Sequence, residues 1–97
     1  IEADLGLWHM LDGEFEAADA RLDRSLSWDP AYGRALQRRI ALCGLTGDRA
    51  SAHTAARRLS ALGLPLDFET ISMSYPFRRA EHGEMFLDGL RRSGVNI

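Results

Sequence analysis

The sequence predicts an all-α chain of about six helices. Two helix hairpins cover residues 1–65, and a C-terminal helical cap over residues 66–97 belongs to the same compact domain. Three observations carry this reading. Apolar residues recur at three- and four-residue steps in almost every segment, and no segment shows the alternation of a half-buried strand. Gly13, Asp29-Pro30, Gly44, Gly47, Gly63 and Pro65 punctuate the periodic segments where turns are needed. Two segments also share a spacing, because Gly13 and Gly47 lie 34 residues apart, as do Ala18 and Ala52.

The elements follow in chain order. A first helix runs through ADLGLWHML with Leu5, Trp8 and Leu11 toward one side, and Gly13 supplies the positive φ that a tight interhelical turn needs. A second spans about Glu14 to Trp28, with Phe15, Ala18, Leu22 and Leu26 in one stripe and Glu16, Asp19 and Asp23 mostly opposite. Asp29-Pro30 stops it, because proline disfavours helical geometry in the residue before it. The third, about Ala31 to Cys43, places Leu36, Ile40 and Cys43 together, and Gly44 and Gly47 bracket the next turn. Asp48 is placed to cap a fourth helix carrying Ala52, Ala55, Ala56, Leu59 and Leu62 inward. Asp67 opens a short fifth helix through Phe68, Ile71 and Tyr75, and Pro76 interrupts it. A sixth, about Arg79 to Arg92, groups Phe86, Leu87 and Leu90 before Ser93-Gly94.

Composition narrows the function classes. The 97 residues suffice for one small domain, and 45% hydrophobic with 27% charged residues is ordinary for a soluble globular protein. A net charge of −2 gives no basic excess for a phosphate backbone, so nucleic acid is not an expected partner. No apolar run approaches a membrane span. Cys43, the single cysteine, excludes an internal disulfide, is expected to be buried, and fits a reducing, cytoplasmic setting. Because the chain opens on Ile1 rather than Met, it is expected to be a segment of a longer protein.

No catalytic or cofactor constellation is expected. His9, His53 and His82 are scattered without metal-ligand spacing. Ser25, Ser27 and Ser51 lack a nucleophile-elbow setting. Glu14/Glu16 and Glu81/Glu84 read as first-turn charges favoured by the helix dipole. Trp8 and Trp28 are expected to pack in the core or between repeats; left exposed, they would mark a contact site.

The recurring segments GEFEAADARLDRSLSWDP and GDRASAHTAARRLSALGLP have a physical logic. Small Ala residues permit close helix approach, Gly makes the turn within each pair, and Pro30 and Pro65 end the second helices. A helix pair repeating near 34 residues resembles the tetratricopeptide repeat family. Leu5-Gly6, Gly13, Phe15, Ala18, Leu22 and Pro30 carry the likeness in the first repeat, and Leu36, Gly47 and Ala52 in the second. The second departs from the pattern at Arg39-Ile40, where Leu-Gly is expected, and at Ala56. The likeness implies a short right-handed solenoid with a concave groove lined by the first helix of each pair. By family position, the groove residues are Leu7, Met10, Leu11, Arg34, Gln37, Arg38 and Ala41. Arg34 and Arg38, one turn apart, would hold a peptide carboxylate, or else form an ordinary charged face paired with Asp19 or Asp23.

The tail, YPFRRAEHGEMFLDGLRRSGV, is similar to the C-terminal region of bacterial multidomain signalling proteins such as class III adenylate cyclases with tetratricopeptide arrays. Pro76, Phe77, Phe86, Leu87, Gly89, Leu90, Arg91 and Gly94 carry that similarity, and no catalytic residue of a cyclase accompanies them. The expected function is a non-catalytic scaffold in one of three forms. It would bind a protein or peptide in the groove, assemble as a homodimer or the end of a longer array, or serve as the regulatory tail of a nucleotide cyclase, packed on its own upstream domain.

Overall fold

The first turn is built as its residues demand. Helix α1, Glu2–Leu11, ends at Gly13, whose φ of 79° lets the amides of Gly13 and Glu14 turn back onto the carbonyls of Met10 and His9. Helix α2, Phe15–Trp28, then runs back along α1. The same device recurs in the second hairpin. Helix α3, Gly33–Thr46, ends at Gly47 with φ 86°, and the amides of Gly47 and Asp48 both donate to the Cys43 carbonyl. Asp48 accepts from the Ser51 amide and so caps α4, Arg49–Ala61. A six-residue helix α5, Phe68–Met73, and the longer α6, Ala80–Arg92, complete the chain. This computed structural model describes residues 2–64, 67–73, 75, 77 and 79–95, and every regular element among them is helical. The proposed stops at Pro65 and Pro76 lie outside the described residues.

Helix α3 is the hub. It packs on α2, α4 and α6 and touches α1, while α1 packs mainly on α2. Ala18 and Ala52, one from each hairpin, are both fully buried and let the paired helices approach. Leu22, Ile40, Leu59, Phe86 and Leu90 fill the space between the layers. Glu2 accepts two hydrogen bonds from the Arg21 guanidinium and pins α1 to α2 at the rim. The extents of 32 × 27 × 24 Å are nearly equal because α6 lies against α3 instead of extending the stack.

Several boundaries and exposures differ from the sequence reading. Helix α3 runs through Gly44 to Thr46, so Gly44 is not a turn residue but a helical one. Its lack of a side chain is used for packing: a Cβ there would lie 1.7 Å from the Gly89 carbonyl oxygen of α6. Tyr75 lies beyond α5, outside helical structure. Trp8 and Trp28 are not buried; they are 57% and 88% exposed, because the helical period turns both away from the stripes that pack. Leu62 is exposed past the end of α4.

Candidate protein-binding face

The seven expected groove residues lie on α1 and α3, and the chain itself covers most of them. Leu7, Met10, Leu11 and Ala41 are buried. On α3, the Ala41 carbonyl lies so close to Gly89 that a Cβ on Gly89 would sit 2.4 Å from its oxygen. Backbone therefore meets backbone where a groove floor was expected. Gly44 and Gly89 are both needed for this approach, since any side chain at either would strike main chain that cannot rotate aside.

The remaining groove residues hold Tyr75. Its hydroxyl donates to Gln37 Oε1 at 2.9 Å. The Arg34 and Arg38 guanidinium carbons lie 5.5 and 5.4 Å from its ring centroid, in cation–π range. On its other side the ring meets Phe86 at 4.6 Å and stacks with Phe77 at 5.8 Å. Burial pushes the Tyr75 phenol above its ordinary range, partly offset by the Arg38 charge. Arg38 is 3% exposed rather than open to a ligand. Its Nη1 donates to Asp4 Oδ1 at 3.0 Å, and its Nε is buried with no partner among the described residues. Arg34 stays exposed at the edge. Neither arginine pairs with Asp19 or Asp23. Arg39 does, and its sequence neighbour Arg38 instead reaches Asp4 of α1, because adjacent helical residues point about 100° apart.

The opposite side of α3 is open. Arg39 hydrogen bonds Asp23 and lies 3.3 Å from Asp19, both on α2. A cleft between α2 and α4 runs past it, with one cavity of about 310 Å³ bordered by Leu26, Ser51 and Arg58, and another of about 370 Å³ bordered by Phe15, Leu42 and Asp48. Cys43 lines the second cavity. Burial pushes its thiol up to about 11, which keeps it protonated at neutral pH.

The exposed outer faces carry the remaining candidates. On α1 and the first turn residue after it, Asp4, Trp8 and Asp12 are all exposed at four-residue steps, with the Trp8 and His82 rings meeting edge to face. On α4, Arg49, His53 and Arg57 form a second exposed stripe at the same spacing. Sequence reasoning singled out Trp8 as a contact site if exposed, but not the carboxylates on either side of it nor the α4 stripe, although their four-residue spacing was legible. Among the described residues, no cluster of His, Cys, Asp and Glu could hold a metal ion, and no helix is long and apolar enough to cross a membrane.

No family model matches the chain, and neither a curated protein nor a solved structure resembles it closely enough to count as a match.

Proposed function

We propose that this chain is a non-catalytic protein-interaction scaffold of tetratricopeptide type. The observation that carries the reading is the 34-residue equivalence met by matched packing. Gly13 and Gly47 both take positive φ at the hairpin turns, and Ala18 and Ala52 are both fully buried on the second helices. A stack of such hairpins displays long helical faces and builds no enclosed reaction site, which suits binding a polypeptide.

The family groove is, on this reading, used within the chain. Arg34, Gln37 and Arg38 grip Tyr75, and Ala41 receives α6, so an outside peptide would have to displace the chain's own tail. Partner contacts then fall on the outer faces, where Trp8 and Trp28 stand uncovered. Peptides selected against the full chain test this by chemical-shift mapping. Perturbations are expected around Trp8 and Trp28. Perturbations centred on Arg34, Gln37 and Ala41, with α6 signals moving to free-helix values, would return the reading to the groove.

The tail similarity favours a particular setting, the regulatory or dimerisation tail of a nucleotide cyclase in the cytoplasm. The residues that carry it have a packing use here. Phe77, Phe86 and Leu90 anchor α6, and Gly89 sets its distance from α3. They supply a cap and no catalytic group. A cyclase domain encoded ahead of Ile1 would support this setting, and its absence there would remove it.

A further inference from the structure

The 34-residue equivalence makes a statement about the two outer stripes. Within the chain, α2 joins α3 through Phe15, Asp19 and Asp23, which border or bind Arg39 and Leu42. Moving one repeat along, Phe15, Asp19 and Asp23 become Arg49, His53 and Arg57 of α4. Moving one repeat back, Arg39, Leu42 and Thr46 become Leu5, Trp8 and Asp12 of α1. The α4 stripe and the α1 face thus occupy the two halves of a joint of the α2–α3 kind. In this molecule they are separate halves, since α1 and α4 pack on α3 and not on each other. Leu42, at the Trp8-equivalent position, is buried, while Trp8 is uncovered.

The charges are reversed but complementary. In the internal joint, two carboxylates on the second helix hold an arginine on the first helix of the next pair. At the outer faces the second helix, α4, carries Arg49 and Arg57, and the first helix, α1, carries Asp4 and Asp12 on either side of Trp8. Arg49, Arg57 and Asp12 form no ion pair within the described residues, while Asp4 already accepts from Arg38 through Oδ1 and is otherwise exposed. Each stripe spans eight residues, about 12 Å of helix, so the charges match in spacing as well as sign. The asymmetry extends beyond the stripes. Residues 1–31 hold eight carboxylates and two arginines, whereas residues 32–62 hold one carboxylate and six arginines.

We infer that the partner of the α1 face is a second copy of this chain, docked through α4. Copies associate head to tail, with Arg49 and Arg57 of one set against Asp4 and Asp12 of the next, and with Trp8 covered by the His53 turn. The contact is heterologous, so it leaves one free face at each end and propagates with concentration. The inference uses the repeat equivalence but does not depend on peptide binding. It can fail while the scaffold reading stands, and the reverse.

The experiment is light scattering on the full chain from about 10 μM to 1 mM, at low ionic strength and at about 0.5 M salt, where exposed charge pairs are screened. Wild-type mass should climb with concentration at low salt and fall back toward the monomer at high salt. Two variants, each checked for helical circular dichroism, separate the faces: Trp8→Ala/Asp12→Asn and Arg49→Glu/Arg57→Glu. Each alone should associate at least about tenfold more weakly than wild type. Mixed in equal amounts they should form a 1:1 heterodimer that grows no further, because each retains one competent face. A wild type that stays monomeric throughout at low salt overturns the inference and assigns the α1 face to another occupant, such as a further helical repeat. Self-association that neither salt nor the variants weaken overturns it too, as does a mixture that remains monomeric.

Discussion

Helix α3 is packed in two different ways on its two sides. Toward α6 it meets backbone with backbone, through Ala41, Gly44 and Gly89, and leaves no room for a methyl group. Toward α2 and α4 it sits under an open cleft, where a long charged side chain, Arg39, bridges to Asp19 and Asp23. The first contact is rigid because its partners are main chain, and the second is adaptable because its partners are rotatable side chains and water-accessible space. The joint to α6 therefore acts as a fixed seam of the domain. The α2–α3 joint is the one whose chemistry can be rewritten, because charged side chains, two of them exposed carboxylates, make it.

The largest effect comes from breaking the seam. Gly44→Ala places a methyl group 1.7 Å from the Gly89 oxygen, so α6 must move off α3 as a body. We expect a loss of about 3 kcal/mol or more, a large part of the stability of a small domain, measured by urea unfolding. The matched change on the open side is Ala55→Leu, which points new methyl groups into the cleft beside Arg39. It should alter stability by less than about 1 kcal/mol. Equal losses at the two sites would abolish the distinction between them.

Next comes the charge buried at the edge of the seam. Removing the exposed Asp4 carboxylate strands the buried Arg38 guanidinium, whereas replacing that guanidinium by an apolar side chain of similar length removes its desolvation cost with it. Asp4→Ala, which leaves the Arg38 guanidinium without its carboxylate, should cost about 1–2 kcal/mol. Arg38→Met should be close to neutral or stabilising, since Arg38 Nε already lacks a partner. A larger loss for Arg38→Met than for Asp4→Ala would mean that the pair itself holds α1 to α3. Tyr75→Phe sharpens the same region. It retains the ring against Phe77 and Phe86 and removes only the hydrogen bond to Gln37, for an expected loss of about 1 kcal/mol in the same assay.

How much of this was legible in the sequence follows from which interactions are local. The helices, the two glycine turns and the Asp48 cap depend on residues within a few positions of one another, and they stand within a few residues of where the periodicity put them. The small residues Ala18 and Ala52 were readable for the same reason, since a repeat states its packing twice. The placement of α6 was not readable, because nothing within one helix says which face of another it will cover. Gly44 illustrates the limit. Beside Gly47 it looks like turn chemistry, and only its contact with Gly89, forty-five residues on, shows it to be a packing residue. The groove residues fail in the same way. Their helices were legible, while the contact of Arg34, Gln37 and Arg38 with Tyr75 is a tertiary choice. Trp8 and Trp28 mislead in the opposite sense, since aromatic residues default to burial unless the stripe they belong to is traced.

The smallest effect belongs to the open side, at the mouth of the cleft where Asp48 caps α4. Its carboxylate accepts from the Ser51 hydroxyl at 2.7 Å and from the Ser51 amide at 3.1 Å, and these bonds hold its pKa below the ordinary aspartate range. A carboxyl whose folded pKa is depressed adds stability above its unfolded pKa and loses it as pH falls through the folded value. The contribution of Asp48 should therefore be complete at neutral pH and should fade as pH drops below the ordinary aspartate range and through the depressed folded value. Asp48→Ala is expected to lower Tm slightly at pH 7, with the gap to wild type closing in strong acid. Asp48→Asn, which keeps an oxygen acceptor but no charge, should recover part of the gap at pH 7 and show little change with pH. Thermal melts of the three chains between about pH 7 and pH 2.5 decide the matter. A gap that stays constant across that range would assign the cap to hydrogen-bond geometry alone, and would remove the carboxylate charge from the account of how this end of the cleft is held.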